Sequence, residues 1–316
     1  MIKIGIIGSN FGKIGLIPAF SSIAGCKVIA TSSGQDWHSM LTNNDLDAIA
    51  IAVKPSAQYK IAKFAMKKGI HIFAEKPLAS NLKQAKELLA IATKYNITNT
   101  LDFTFPEINE WVKVKELLDK ERYGKLKNIS VSWQWLSGDI KYKKSSWKTS
   151  LREGGGVLSF YYSHGFYYLE NFAGKIASIE TLFTHSKDSK NGAEVGIDMK
   201  IKWEKGIKGD VHISCNNRDE VKHQLIFKCE KGTITLENKD AIVNKFRIIV
   251  NTKKGNKEIK VKKIKDKKNE DERVKEVRKI ATRFIKACNK KKQTYPSFAD
   301  GVRVQKLIEM ARKSKS

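Results

Sequence analysis

The chain has 316 residues, more than one hydrophobic core usually organises, so two domains are expected. Hydrophobic residues make up 41% of it, and no run of about 18 apolar residues occurs, which excludes a membrane span of the helical kind and points to a globular protein. The formal net charge is +27, but lysine is spread along the whole chain; this reads as a solvated surface that steers anionic substrates inward, and a nucleic-acid partner is not expected.

The chain opens on a strand-like Met1-Ile-Lys-Ile-Gly, without the basic, apolar and small-residue zones of a signal peptide, so a cytoplasmic location is expected. Residues 2–7 form an apolar, β-branched run, the mark of a buried parallel strand. A helical pattern follows from Gly12 to about Ile23. Residues 27–33 and 47–53 read as the second and third strands. The segment between them, from Gly34 to Asp45, holds at most a turn or two of helix. Residues 56–69 have helical spacing and stop at Gly69. Strands at 70–75 and 98–103 enclose a helix over 81–96, and another helix is predicted over about 106–120. This rhythm of strand and helix implies βαβ units and a parallel sheet.

Near residue 122 the pattern changes. Alternating apolar and polar residues recur at 127–135, 177–185, 195–203, 209–215, 223–229, 233–237, 246–252 and 257–263, which predicts a large, mainly antiparallel sheet. Helical patterns return near 270–289 and 299–313. The lysine-dense run at 253–268 reads as an edge strand running into a solvated loop. The expected organisation is a Rossmann-like doubly wound domain over 1–121 and an α+β substrate-binding and oligomerisation domain over 122–316. A broad sheet with an open face suggests a dimer or tetramer. The four cysteines, Cys26, Cys215, Cys229 and Cys288, are scattered and read as buried small hydrophobes. No metal site is expected.

The stretch IGSNFGKIG, residues 7–15, follows the first strand and opens a helix, the context of a dinucleotide phosphate turn. Gly8 supplies the tight turn, Asn10 replaces the second glycine and tolerates left-handed backbone, and Gly12 lets the helix approach the strand. Ser9 and Phe11 complete the candidate turn. The motif EKPLA, 75–79, follows the fourth strand at the carboxyl edge of the sheet, where open α/β folds bind ligands. An ammonium at Lys76 could stabilise a developing alkoxide there.

With these motifs, the glycine-rich stretch GGGVLSFYYSHGFYYLENFAG at 154–174 and the ending PSFADGVRVQKLIEMARKS at 296–314, the chain resembles the Gfo/Idh/MocA family of oxidoreductases over nearly its whole length. The resemblance implies a two-domain dehydrogenase with the nicotinamide at the domain junction. Val53, Lys54, Pro55 and Ser56 would line the cofactor, and Glu75 and Lys76 would bracket its ribose. Lys76 would reach the substrate hydroxyl, and His164 would take the proton. The family places an aspartate four residues before this histidine and another three after it; here those positions hold Phe160 and Tyr167. Tyr161 could supply a hydroxyl to substrate, although packing accounts for most of the tyrosines at 161, 162, 167 and 168. Trp147 could wall a sugar pocket or pack in the core.

The end of the second strand reads the ribose 2′ position. Thr31, Ser32 and Ser33 carry no charge there and can donate to a phosphate, which favours NADP over NAD, although Asp36 is close by. The resulting expectation is an NAD(P)-dependent oxidoreductase acting on a hydroxyl or carbonyl of a sugar, sugar nucleotide or polyol. A non-catalytic NAD(P)- or sugar-binding regulator of the same fold is the alternative that Phe160 keeps open.

Overall fold

A computed structural model describes residues 1–314 other than 188, 190, 191, 241, 263, 265, 266 and 291. In chain order the elements are β1 (Ile2–Ile7), a π-helical turn (Gly12–Leu16) running into α1 (Ile17–Ser21), β2 (Cys26–Ser32), α2 (Trp37–Asn43), β3 (Ala48–Ile51), α3 (Pro55–Lys67), β4 (His71–Ala74), α4 (Leu82–Lys94) and β5 (Asn99–Leu101). There follow α5 (Asn109–Asp119), β6 (Leu126–Gln134), α6 (Gly138–Lys141), a second π-helical turn (Val157–Tyr161), α7 (Ser163–Ala173), β7 (Ile176–Thr184), β8 (Gly196–Trp203) and β9 (Lys208–Ser214). The chain closes with β10 (Lys222–Cys229), β11 (Gly232–Asn238), β12 (Arg247–Thr252), β13 (Gly255–Ile259), α8 (Val274–Lys290) and α9 (Phe298–Lys313). Lys263, Lys265 and Asp266 of the lysine-dense run lie outside the described residues.

Two compact units form: Met1–Thr104 with Ile264–Lys306, and Phe105–Lys263 with Leu307–Ser316. They do not follow the 121/122 division expected from chain order. Helix α5 falls in the second unit and α8 in the first. The reason is packing. Along α8, Val274, Val277, Ile280, Ala281, Phe284, Ile285 and Cys288 recur at helical spacing and form one buried face, shared with Ile2, Ile4 and Ile6 of β1 and with Phe20. Phe20, Phe73 and Phe284 meet edge to face, with centroids 5.1, 5.9 and 6.4 Å apart. Each such side chain contributes about 1.5–3 kcal/mol by leaving water, more than any local preference along the chain can oppose.

In the first unit the five strands are parallel in the order β2-β1-β3-β4-β5. The chain steps one way from β1 to β2 and then returns past β1 to β3. The crevice at the carboxyl ends of β1 and β3 is therefore the topological switch point, where open α/β sheets take ligands. The short segment before β3 holds the two turns of α2, as its length allows.

The second unit carries an eight-stranded sheet in the order β13-β12-β11-β10-β6-β9-β8-β7. Neighbours are antiparallel except β6 and β9, which are parallel. The alternation works as the sequence implies: in β8 Ile197, Met199, Ile201 and Trp203 are buried, while Asp198, Lys200 and Lys202 are exposed. The buried face meets α5 and α7, where Trp111 stacks on Phe172 at 5.7 Å. Strand β13 is an edge, as its lysines suggested.

Candidate active site

The phosphate turn is built as the first strand and its helix require. Gly8 has φ +141°, and a Cβ there would lie 2.4 Å from the Ala52 carbonyl oxygen. Only glycine fits between β1 and β3 at this point. The helix then begins with the Asn10 carbonyl accepting from Lys13 and Ile14 at 2.9 and 3.2 Å. Among the described residues the amides of Ser9, Asn10 and Phe11 make no hydrogen bond, and Ser9 and Asn10 are exposed. Three main-chain donors at a helix start, beside a cradle that a Cβ would fill, suit a pyrophosphate.

Two details differ from the sequence reading. Asn10 is not in the left-handed region, so its tolerance of that backbone is not used. Nor does Gly12 carry the close approach, because a Cβ there would sit at an ordinary 3.7 Å from Ile7. At Gly15 a Cβ would fall 2.4 Å from the Phe11 ring, so that glycine makes room for the ring within the same helical turn.

At the end of β2 the Ser32 hydroxyl is buried and donates to the Asp36 carboxylate at 2.6 Å. It also accepts from the Gly34 amide at 3.0 Å. The hydroxyl bond holds the Asp36 carboxyl below its usual range. Ser33 is exposed beside it.

The Lys76 loop leaves β4 on the same carboxyl edge. Gln58, buried on α3, donates its side-chain amide to the carbonyls of Glu75, Pro77 and Leu78 at 2.7, 3.1 and 3.1 Å. The Lys76–Pro77 bond is cis, and the Lys76 amide donates to Glu75 Oε2 at 3.2 Å. Pro55 is the first residue of α3 and is buried, Lys54 caps that helix and is exposed, and Val53 is half-buried before it.

Sequence reasoning missed three groups on this edge. Gln58 is one. Asp102 follows β5 with 2% of its surface exposed, and the Glu75 carboxyl lies within its hydrogen-bonding reach. Arg273 precedes α8; its guanidinium lies 4.4 Å from the centre of the Phe11 ring and is bound by Asp271 at 2.7 and 2.8 Å. An acid inside the strand predicted over 98–103 was a visible signal for Asp102. Arg273 carried none, because its place depends on where α8 docks.

In the second unit, His164 is the second residue of α7, half-buried, with Phe105 edge-on at 5.0 Å. One turn earlier, Phe160 packs against Trp147 at 5.1 Å and lies under Lys148 Nζ at 4.7 Å. The site that holds a carboxylate in the family is thus filled by an aromatic ring. Tyr161 packs on Trp135 at 4.6 Å, and burial pushes its hydroxyl well above the usual phenol range. Tyr162 and Tyr168 are fully buried, which fits the packing role.

The glycine run ahead of them has a structural task. Gly156, at φ +99°, lies against the buried Glu194 carboxylate, and a Cβ would come within 2.2 Å of it. Arg312 closes the cradle, 3.5 Å from Glu194 and 2.9 Å from both the Gly155 carbonyl and the Ser159 hydroxyl.

Comparison with known proteins agrees with this architecture. Residues 17–103 match the family model described as "Oxidoreductase family, NAD-binding Rossmann fold", and residues 111–235 match the GFO/IDH/MocA C-terminal domain. The phosphate turn itself precedes the matched residues. The chain is 25% identical to an uncharacterised oxidoreductase of Synechocystis sp., over 99% of this chain and 94% of that one. It is similar in fold to levoglucosan dehydrogenase in complex with NADH and L-sorbose, with TM-score 0.84, 15% identity and coverage of 99% and 96%. It is equally similar to a 3-ketoreductase from Actinomadura kijaniata in complex with NADP and TDP-benzene, with TM-score 0.83, 17% identity and coverage of 99% and 98%.

The doubly wound sheet, its amide-lined turn and both matched domains define a dinucleotide-dependent oxidoreductase. The chain belongs to the Gfo/Idh/MocA family and is an NAD(P)-dependent enzyme of that class, which sets aside the regulatory alternative.

Proposed function

We propose that this enzyme oxidises a hydroxyl, or reduces the matching carbonyl, of a sugar, sugar nucleotide or polyol. The first unit serves the coenzyme and the second serves substrate and self-association. The observation that carries the reading is the Lys76 loop, pinned by Gln58 on the same strand edge as the amide-lined turn. NAD(P), when bound, supplies the hydride acceptor or donor. Gly8, Ser9, Asn10, Phe11 and Gly12 hold its pyrophosphate, and Val53, Lys54, Pro55 and Glu75 line its nicotinamide half. Lys76 polarises the reacting oxygen, and His164 handles the proton, while Trp147 and Tyr161 contact the sugar.

Between the two coenzymes, the Asp36 carboxylate weighs towards NAD. It occupies the Ser32 hydroxyl that was expected to donate to a 2′-phosphate, and a negative charge repels that group. This weighs against the NADP preference read from the uncharged Thr31–Ser33 segment. A cytoplasmic homo-oligomer formed through the open sheet face completes the reading; Leu182 on β7 is 58% exposed there, and light scattering measures the assembly.

The experiment is a nicotinamide fluorescence titration followed by an absorbance screen over sugars, polyols and sugar nucleotides. The Lys76→Met variant should bind coenzyme and lose roughly 10²–10³-fold in kcat, the usual cost of one electrostatic donor to a developing oxyanion. Turnover that survives this substitution overturns the role of Lys76.

A further inference from the structure

The carboxyl ends of β4 and β5 bring two acids together. Glu75 and Asp102 are held by parallel-strand bonds, from the Glu75 amide to Ile51 at 2.9 Å and from the Asp102 amide to Ala74 at 3.0 Å. The Glu75 carboxyl lies within hydrogen-bonding reach of the buried Asp102 side chain. Two ionised carboxylates have only acceptors, so a bond between them requires a proton. Among the described residues no hydrogen bond reaches Asp102 Oδ1, and the residue is 2% exposed. An ionised oxygen without a partner would be costly in that place, whereas a neutral acid leaves a weaker acceptor there.

The charged groups around the pair are Lys76 on the same loop and Arg273 before α8. Arg273 is bound by Asp271, and the charges of Glu75 and then Glu272 also act on it. Burial and then Glu75 hold the Asp102 carboxyl well above its ordinary range, against the opposing pull of Lys76 and Arg273.

We propose that Asp102 is the positioning residue of the Lys76 loop: a neutral acid that donates its proton to Glu75 and leaves the pair with a single negative charge beside the lysine. The assignment of Lys76 to substrate rests on the function proposed above; the proton on Asp102 does not. Its loss would place a second negative charge where an anionic coenzyme binds and would draw the ammonium towards the acids.

Infrared spectroscopy of the wild-type protein near pH 7 should show a deuterium-sensitive carboxylic-acid band that Asp102→Asn removes. In turnover, wild-type kcat should fall on the alkaline side as the pair loses its proton, and Asp102→Asn, which cannot ionise, should lack that fall. Asp102→Leu leaves Glu75 without its donor and should be roughly tenfold less active than Asp102→Asn at every pH, about the cost of one unsatisfied buried group. Absence of the band, its survival in Asp102→Asn, or the same alkaline limb in both proteins overturns the proposal. Should Asp102→Asn fail to fold, carboxyl-carbon NMR of the wild type decides instead. One aspartate must keep a protonated shift near pH 7; if none does, the proposal fails. Turnover that survives Lys76→Met would remove the proposed function and leave the infrared result standing.

Discussion

Gln58 Nε2 lies 2.7 Å from the carbonyl oxygen of Glu75, and the same nitrogen serves Pro77 and Leu78. Three carbonyls converge on one amide, which fixes its orientation, because the opposite flip would set oxygen against oxygen. Through this nitrogen α3 holds the loop that presents Lys76. Gln58→Leu keeps the volume and removes the donor. It should cost about 1–3 kcal/mol of stability, the penalty for buried acceptors left unmatched. It should also lower kcat more than it raises the KM for coenzyme, because the loop that loosens is the lysine's and not the phosphate turn. Denaturant midpoints and steady-state kinetics check this; a KM effect alone would show that Gln58 does not position Lys76.

The glycines of the phosphate turn are unequal. At Gly8 a methyl group would lie 2.4 Å from backbone that cannot yield, on a positive φ; at Gly12 it would find ordinary contact at 3.7 Å. Gly8→Ala should therefore weaken coenzyme binding by at least tenfold, about 1.4 kcal/mol, and lower the melting temperature. Gly12→Ala should do neither. A fluorescence titration of both variants separates them, and equal losses would mean that the turn rearranges when coenzyme binds.

Asp36 should set coenzyme choice. The Ser32 hydroxyl keeps its carboxyl below the usual range, so it is ionised at neutral pH. Asp36→Asn removes the charge and returns that hydroxyl to other partners. The ratio of affinities for NADH over NADPH should fall by on the order of tenfold, by relief of repulsion on the NADPH side. Parallel titrations with the two reduced coenzymes measure it; an unmoved ratio means Asp36 does not face the ribose.

Most of the fold was legible in local pattern, and the site only in part. Alternation gave β8 and β9, and apolar runs gave β1 and β3, because strand faces and buried strands write themselves at periods a reader can count. Gly8 and Lys76 were visible because a turn after a strand has its own chemistry. Gln58, Arg273 and the docking of α8 were not. The spacing of Val274, Val277, Ile280 and Phe284 shows a buried face but carries no address for it. Only tertiary contact selects β1 as its partner, and that choice moves Arg273 next to Phe11.

His223 should govern how the fold responds to acid. It is 6% exposed on β10, stacked on Trp133 at 4.3 Å with rings 2° from parallel, and 3.4 Å from the Tyr168 hydroxyl. Burial pushes its pKa from the ordinary 6.5 down to about 3. Between those values the unfolded chain takes up a proton that the folded chain refuses. The unfolded state therefore binds more protons, and stability falls as pH falls through about 6.5 and continues to fall towards 3. The full effect is on the order of 5 kcal/mol. His223→Phe keeps a ring against Trp133, gives up the weak bond to Tyr168 and cannot titrate. It should be slightly less stable than wild type near pH 8, and the two curves should converge and cross on acidification. Carboxylates titrate alike in both proteins, so the difference between urea midpoints at successive pH values isolates the histidine. Curves that stay parallel from pH 8 to 4 would mean that His223 gains its proton without unfolding and that the aromatic cluster opens to admit water.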